Sequence, residues 1–119
     1  MNRILIIDDD KEFCEELLDV LKNEGFDAEF CLSPEQGMRQ FKQKAYATLL
    51  LDFKMPGMNG VEFLKKYGTD LVNLRIFMIS GSLAINKLLA ENGLSGLVTE
   101  VIGKPFDVQY LLQKLKDIL

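Results

Sequence analysis

Four short apolar runs in this chain stop abruptly on polar residues, and helical patterns fill the gaps between them. Arg3-Ile-Leu-Ile-Ile7 stops at Asp8-Asp9-Asp10, Leu49-Leu-Leu51 at Asp52, and Leu74-Arg-Ile-Phe-Met-Ile79 at Ser80. A weaker run, Leu97-Val-Thr-Glu-Val-Ile102, leads into Gly103-Lys104-Pro105-Phe106. Runs this short, apolar on both faces and closed by turn residues, suit strands of a parallel sheet covered on both sides. A fifth segment, Asp27-Ala-Glu-Phe-Cys31, alternates as an edge strand would. In such sheets ligands bind at the carboxyl ends of the strands, where Asp8, Asp9, Asp52, Ser80 and Lys104 all fall.

Between the runs the period changes. Phe13, Leu17, Val20 and Leu21 recur at three and four, with Cys14 and Leu18 beside them, and Gly25 follows near the C′ position. Ser33-Pro34-Glu35-Gln36 reads as a helix start with Ser as cap and Pro at the first position. Met38, Phe41 and Ala45 form its inward stripe, and Gly37 is its weak spot. Val61, Phe63, Leu64 and Tyr67 give a short helix ended by Gly68, and residues 84–92 another closed by Gly93. Asp107 opens the last helix, with Tyr110, Leu111, Leu115 and Ile118 on its face. Five strands alternating with five helices imply an α/β, doubly wound parallel sheet with right-handed crossovers. Five strands suit the flavodoxin-like order 2-1-3-4-5, which the resemblance drawn below also implies.

Composition narrows the chemistry. A length of 119 residues fits one domain. The charge balance, 14 basic against 18 acidic residues, is mildly acidic and argues against direct nucleic-acid binding. No apolar run approaches the roughly 18 residues needed to span a bilayer, and the aspartates at 8–10 cut the N-terminal run too short for a signal peptide. Cys14 and Cys31 lack metal or redox spacing and sit within apolar patterns, so free thiols in a reducing cytoplasm are expected. The sequence contains no histidine. A histidine base, a His-ligated zinc site and a phosphohistidine on this chain are therefore excluded.

Three carboxylates converging on one crevice repel one another and need a counter-charge. Mg²⁺ takes one or two carboxylates, a carbonyl and waters, and pairs with phosphoryl oxygens. Lys104 adds positive charge and Ser80 a hydroxyl. Together these groups are equipment for phosphoryl transfer onto an aspartate.

The ordered set Ile-Ile-Asp8-Asp9, Leu-Leu-Asp52 with Met-Pro-Gly-Met-Asn-Gly60, Ile-Ser80-Gly81 and Lys104-Pro105-Phe106 resembles a response-regulator receiver domain of the chemotaxis-regulator kind, from two-component signalling. The resemblance covers essentially the whole chain, 1–119, as a single receiver domain. It implies that Asp52 is the phosphoacceptor, taking a phosphoryl group from a phosphohistidine on a histidine kinase or histidine phosphotransfer protein. It implies that Asp8, Asp9 and Asp52, with the main-chain carbonyl of Lys54, hold Mg²⁺, Asp9 directly and Asp8 through water. Asp10 is left as a helix cap or solvated charge. Ser80 and Lys104 would contact the phosphoryl group, and the Lys104–Pro105 bond would be cis. The domain would be a cytoplasmic signalling phosphoacceptor rather than an enzyme, passing its state to a downstream protein or a fused output domain. The initiating Met and the position of the motifs would place it at an N-terminus.

Three positions depart from the usual receiver pattern. Val101 stands three residues before Lys104, where many receivers carry a Tyr or Phe that rotates on activation. Lys54, two residues past the acceptor, is either solvated or within reach of the acyl phosphate. Gly81 stands where many relatives have alanine. Two other readings compete. Asp8-x-Asp10 after a strand suggests an aspartate-nucleophile phosphatase, but Glu12 stands where that motif has Thr or Val and the chain is short for that class. A receiver-fold interaction module that does without phosphorylation would tolerate Val101, though it would not need the full acidic set with Ser80 and Lys104.

Overall fold

A computed structural model describes residues 3–82 and 84–117. Five parallel strands, β1 (Arg3–Ile7), β2 (Asp27–Cys31), β3 (Thr48–Asp52), β4 (Arg75–Ser80) and β5 (Glu100–Gly103), form one sheet in the order β2-β1-β3-β4-β5. The helices are α1 (Lys11–Asn23), α2 (Pro34–Gln43), α3 (Gly60–Tyr67), α4 (Ile85–Glu91) and α5 (Val108–Lys116), with single 3₁₀ turns at Gly68–Leu71 and Ser95–Leu97. The expected flavodoxin-like architecture is the one observed.

Side chains alternate across each strand, so the sheet supports two cores. Leu5, Ile7, Leu49, Leu51, Ile76 and Met78 face α2, α3 and α4, whereas Ile4, Ile6, Leu50, Phe77, Ile79 and Ile102 face α1 and α5. The methionines of the described residues, Met38, Met55, Met58 and Met78, all belong to the first core. β3 is buried along its whole length, as a central strand covered on both faces must be.

Caps fix where the helices begin. Asp10 accepts from the Phe13 amide, Ser33 from Gln36 and Asp107 from Gln109. Asn59 and Glu62 form a reciprocal capping box at α3. Four expectations need correction. Ala45 lies beyond the end of α2 and is exposed, because the helix stops at Gln43. Gly37 is no weak spot: a Cβ there would meet Ile7 Cδ1 at 2.3 Å, so the glycine lets α2 close onto β1. The last strand starts at Glu100 rather than Leu97, because 95–97 close a 3₁₀ turn and Thr99 donates its amide to the Ile76 carbonyl ahead of the β4–β5 pairing. On α5, Leu111, Leu112 and Leu115 are buried while Tyr110 is exposed, and Ile118 lies outside the described residues.

Candidate functional site

The acidic triplet after β1 divides into three roles. Asp8 is buried, and one of its oxygens accepts the Asp10 amide at 3.0 Å. Asp9 is exposed at the rim, and Asp10 spends its carboxylate on capping α1. Asp10 is thus placed as the expected helix cap, not as the acid–base partner that a phosphatase would require beside Asp8.

Asp52 is the last residue of β3 and is buried. The chain beyond it is pinned at both ends of the following loop. Phe53 donates its amide to Ile79 at 2.9 Å, and Gly60 donates to the Phe53 carbonyl at 2.7 Å. Gly57, at φ +82°, supplies the left-handed residue of the turn after Pro56. At Gly60 the backbone approaches β4 so closely that a Cβ would lie 2.6 Å from Met78 Sδ. Lys54, in this loop, is exposed.

Lys104 enters from the end of β5. Its amide donates to Ser80 at 2.8 Å, and its bond to Pro105 is cis. Its Nζ donates to Asp8 Oδ2 at 3.0 Å and to Asp52 Oδ1 at 3.2 Å, joining two carboxylates that are 96 and 52 residues away in sequence. Ser80 is buried at the end of β4, and its Oγ accepts the Ser82 amide at 3.0 Å, which leaves the hydroxyl hydrogen available. All these groups open into one cleft of about 370 Å³, whose walls include Lys54 and Gly81.

Asp8, Asp9 and Asp52 each offer a carboxylate oxygen, and these oxygens lie within 4.8 Å of one another. The electrostatic consequence is visible at Asp52. Burial first, and then the charge of Asp8, push its carboxyl up to about 6 against the opposing pull of Lys104. At Lys104 burial works against the charge, but the bonds and charges of Asp8 and Asp52 outweigh it and raise the ammonium above its ordinary value. The cleft therefore favours positive charge. Three hard oxygen donors around one point fit a small divalent cation such as Mg²⁺.

All five strand-end residues expected to converge do so. Val101 is half-buried against the α4-side core. Cys14 is buried and Cys31 half-buried, both as free thiols. The Cys14 thiol, raised to about 12 by burial and the neighbouring Asp8, is inert rather than reactive. One neighbour of the site was not legible as such in the sequence. Phe13 belongs to the apolar stripe of α1, yet its ring centroid lies 4.7 Å from Lys104 Nζ. Helical periodicity places it on the sheet-facing side of α1, but only the tertiary structure brings residue 104 to it.

Comparison with known proteins agrees with this geometry. Residues 4–116 match the family described as response regulator receiver domain. The chain is 32% identical over 120 residues to a transcriptional regulatory protein CpxR homolog of Haemophilus influenzae, covering all of this chain and 51% of that protein. It is 26% identical over 117 residues to the cell cycle transcriptional regulator CtrA of Caulobacter vibrioides, covering 98% and 50% of the two. The chain thus spans about half the length of these curated relatives. Among solved structures, a two-component response regulator from Clostridium difficile superposes with a TM-score of 0.87 at 23% identity, covering 99% of this chain and 95% of that one. A CheY-like receiver domain protein from Methanospirillum hungatei gives 0.86 at 26% identity, covering 98% and 92%. Among the described residues no helix is long and apolar enough to cross a membrane. By its matched sequence and its fold, the chain belongs to the response-regulator receiver family of two-component signalling.

Proposed function

We propose that residues 1–119 act as a single phosphoacceptor domain, in which a partner's phosphohistidine passes its phosphoryl group to Asp52 and the change is read by a downstream protein or output domain. The observation that carries this is the bridging of Asp8 and Asp52 by Lys104 at the mouth of a carboxylate-lined cleft. An Asp52 oxygen attacks phosphorus, the P–N bond breaks, and the donor imidazole leaves with the electron pair and takes up a proton. Asp8, Asp9, Asp52 and the main-chain carbonyl of Lys54 are the groups that would hold Mg²⁺, which supplies neutralisation of the phosphoryl charge. Lys104 exchanges its bond to Asp52 for one to a phosphoryl oxygen, and the free Ser80 hydroxyl donates to another. The domain turns over only its own acyl phosphate. Its place of work is the cytoplasm, where free thiols persist.

The test is intact-mass spectrometry after incubation with Mg²⁺ and acetyl phosphate. One phosphate is expected on the parent chain and none on Asp52→Asn. Donation by a histidine-phosphorylated phosphotransfer protein should give the same pattern. A phosphate retained by Asp52→Asn would overturn the assignment of the acceptor, and no adduct from either donor would overturn the phosphoacceptor role.

A further inference from the structure

Lys104 carries its charge at the end of four rotatable bonds, and holding such a stem in one geometry costs entropy. Its backbone is anchored through the bond to Ser80, but that bond does not direct the ammonium. The Lys104 side chain remains about 30% exposed. Besides the two carboxylates, the ring of Phe13 also faces the ammonium, 4.7 Å from ring centroid to Nζ. That ring is itself constrained. The Phe13 amide is held by Asp10 in the first turn of α1, and its ring meets Phe106 edge-on at 5.9 Å and 85°. Next to it lies a second cavity, about 360 Å³, lined by Phe13, Lys104, Pro105, Phe106 and Val108 with Asp10. Lys104 therefore stands between an acidic cleft and an apolar hollow, with Phe13 forming a wall.

We propose that Phe13 is a positioning residue for Lys104, its ring face fixing the ammonium at the boundary between the apolar hollow and the acidic cleft, within reach of Asp8 and Asp52. An aromatic face attracts a cation through its quadrupole, most strongly where water is partly excluded. The kinetic consequence rests on the reading of Lys104 as a phosphoryl contact, but the positioning itself does not. Three replacements at position 13 separate attraction from packing: Phe13→Leu, Phe13→Tyr, and site-specific incorporation of trifluorophenylalanine, which keeps a ring of similar shape but depletes its negative face.

Two readouts are taken on the full chain. In the metal-free protein, the ring is expected to shift the Lys104 Cε methylene resonance upfield. The shift should persist in Phe13→Tyr, vanish in Phe13→Leu and shrink with the fluorinated ring. With Mg²⁺ and acetyl phosphate, the rate of adduct formation should fall about three- to tenfold for Phe13→Leu and the fluorinated ring, and stay near parent for Phe13→Tyr. A fluorinated protein with the parent's Lys104 resonance and rate would overturn the proposal and leave Phe13 as packing. Failure of the parent to take phosphate would count against the phosphoacceptor reading alone, since the resonance still decides the role of Phe13.

Discussion

At Asp52 folding makes the carboxyl easier to protonate, holding it up to about 6 from an ordinary 3.8 by burial and by Asp8. The stability this contributes is fully present below pH 3.8 and is lost as pH rises through about 6. A displacement of that size corresponds to about 2–3 kcal/mol. Metal-free Asp52→Asn should therefore be more stable than the parent near neutral pH, with the difference closing toward about pH 4. Urea unfolding across the range checks this, and a pH-independent difference would remove charge repulsion as its cause. Glu29 on β2 has the opposite sign. Burial opposes its charge, but bonds from Lys44, Tyr46 and Gln40 outweigh it and hold the carboxyl at about 2. That contribution is present above 4.5 and lost as pH falls through about 2, so it shapes only the acid limb of the same curve.

At the scale of elements, the close approach of α2 to β1 makes a sharp prediction. Alanine normally favours a helix over glycine by about 1 kcal/mol. At Gly37, however, the added methyl collides with Ile7 Cδ1 and Cγ1. Gly37→Ala should destabilise by about 1–3 kcal/mol, and Ile7→Val, which removes Cδ1, should recover part of the loss in that background. Thermal denaturation of the single and double variants measures the coupling, and strictly additive effects would refute it. The same contact shows where sequence reasoning stops. Strand and helix existence was readable because apolar runs and three-four spacing leave traces within a dozen residues. The motif residues Asp52, Ser80 and Lys104 were readable as strand ends. The glycine at 37 looked like a flaw because its justification is a side chain 30 residues away. Phe13 looked like ordinary core for the same reason. The segment after α4 was misplaced because Leu97 and Val98 pack on the core without joining the sheet, so apolarity there marks a turn, not a strand.

At the scale of the whole molecule, the candidate site lies at one end of a sheet whose two faces are built from different materials. Leucine and isoleucine branch and hold fixed rotamers, whereas methionine is unbranched and repacks at small cost. The core beneath α1 and α5 holds no methionine among the described residues, while Met55 and Met58 stand just past Asp52 and Met78 touches Gly60. The sheet is therefore backed by a stiff side and a compliant one, and a disturbance at Asp52 meets least mechanical resistance toward α3 and α4. Methyl resonances should report this on acyl-phosphate formation, with Met55, Met58 and Met78 moving more than Leu111, Leu112 and Leu115. Equal movement on both sides would contradict it. The direction in which this domain gives way is then a property of its filling, set by where the four thioethers of the described residues were placed.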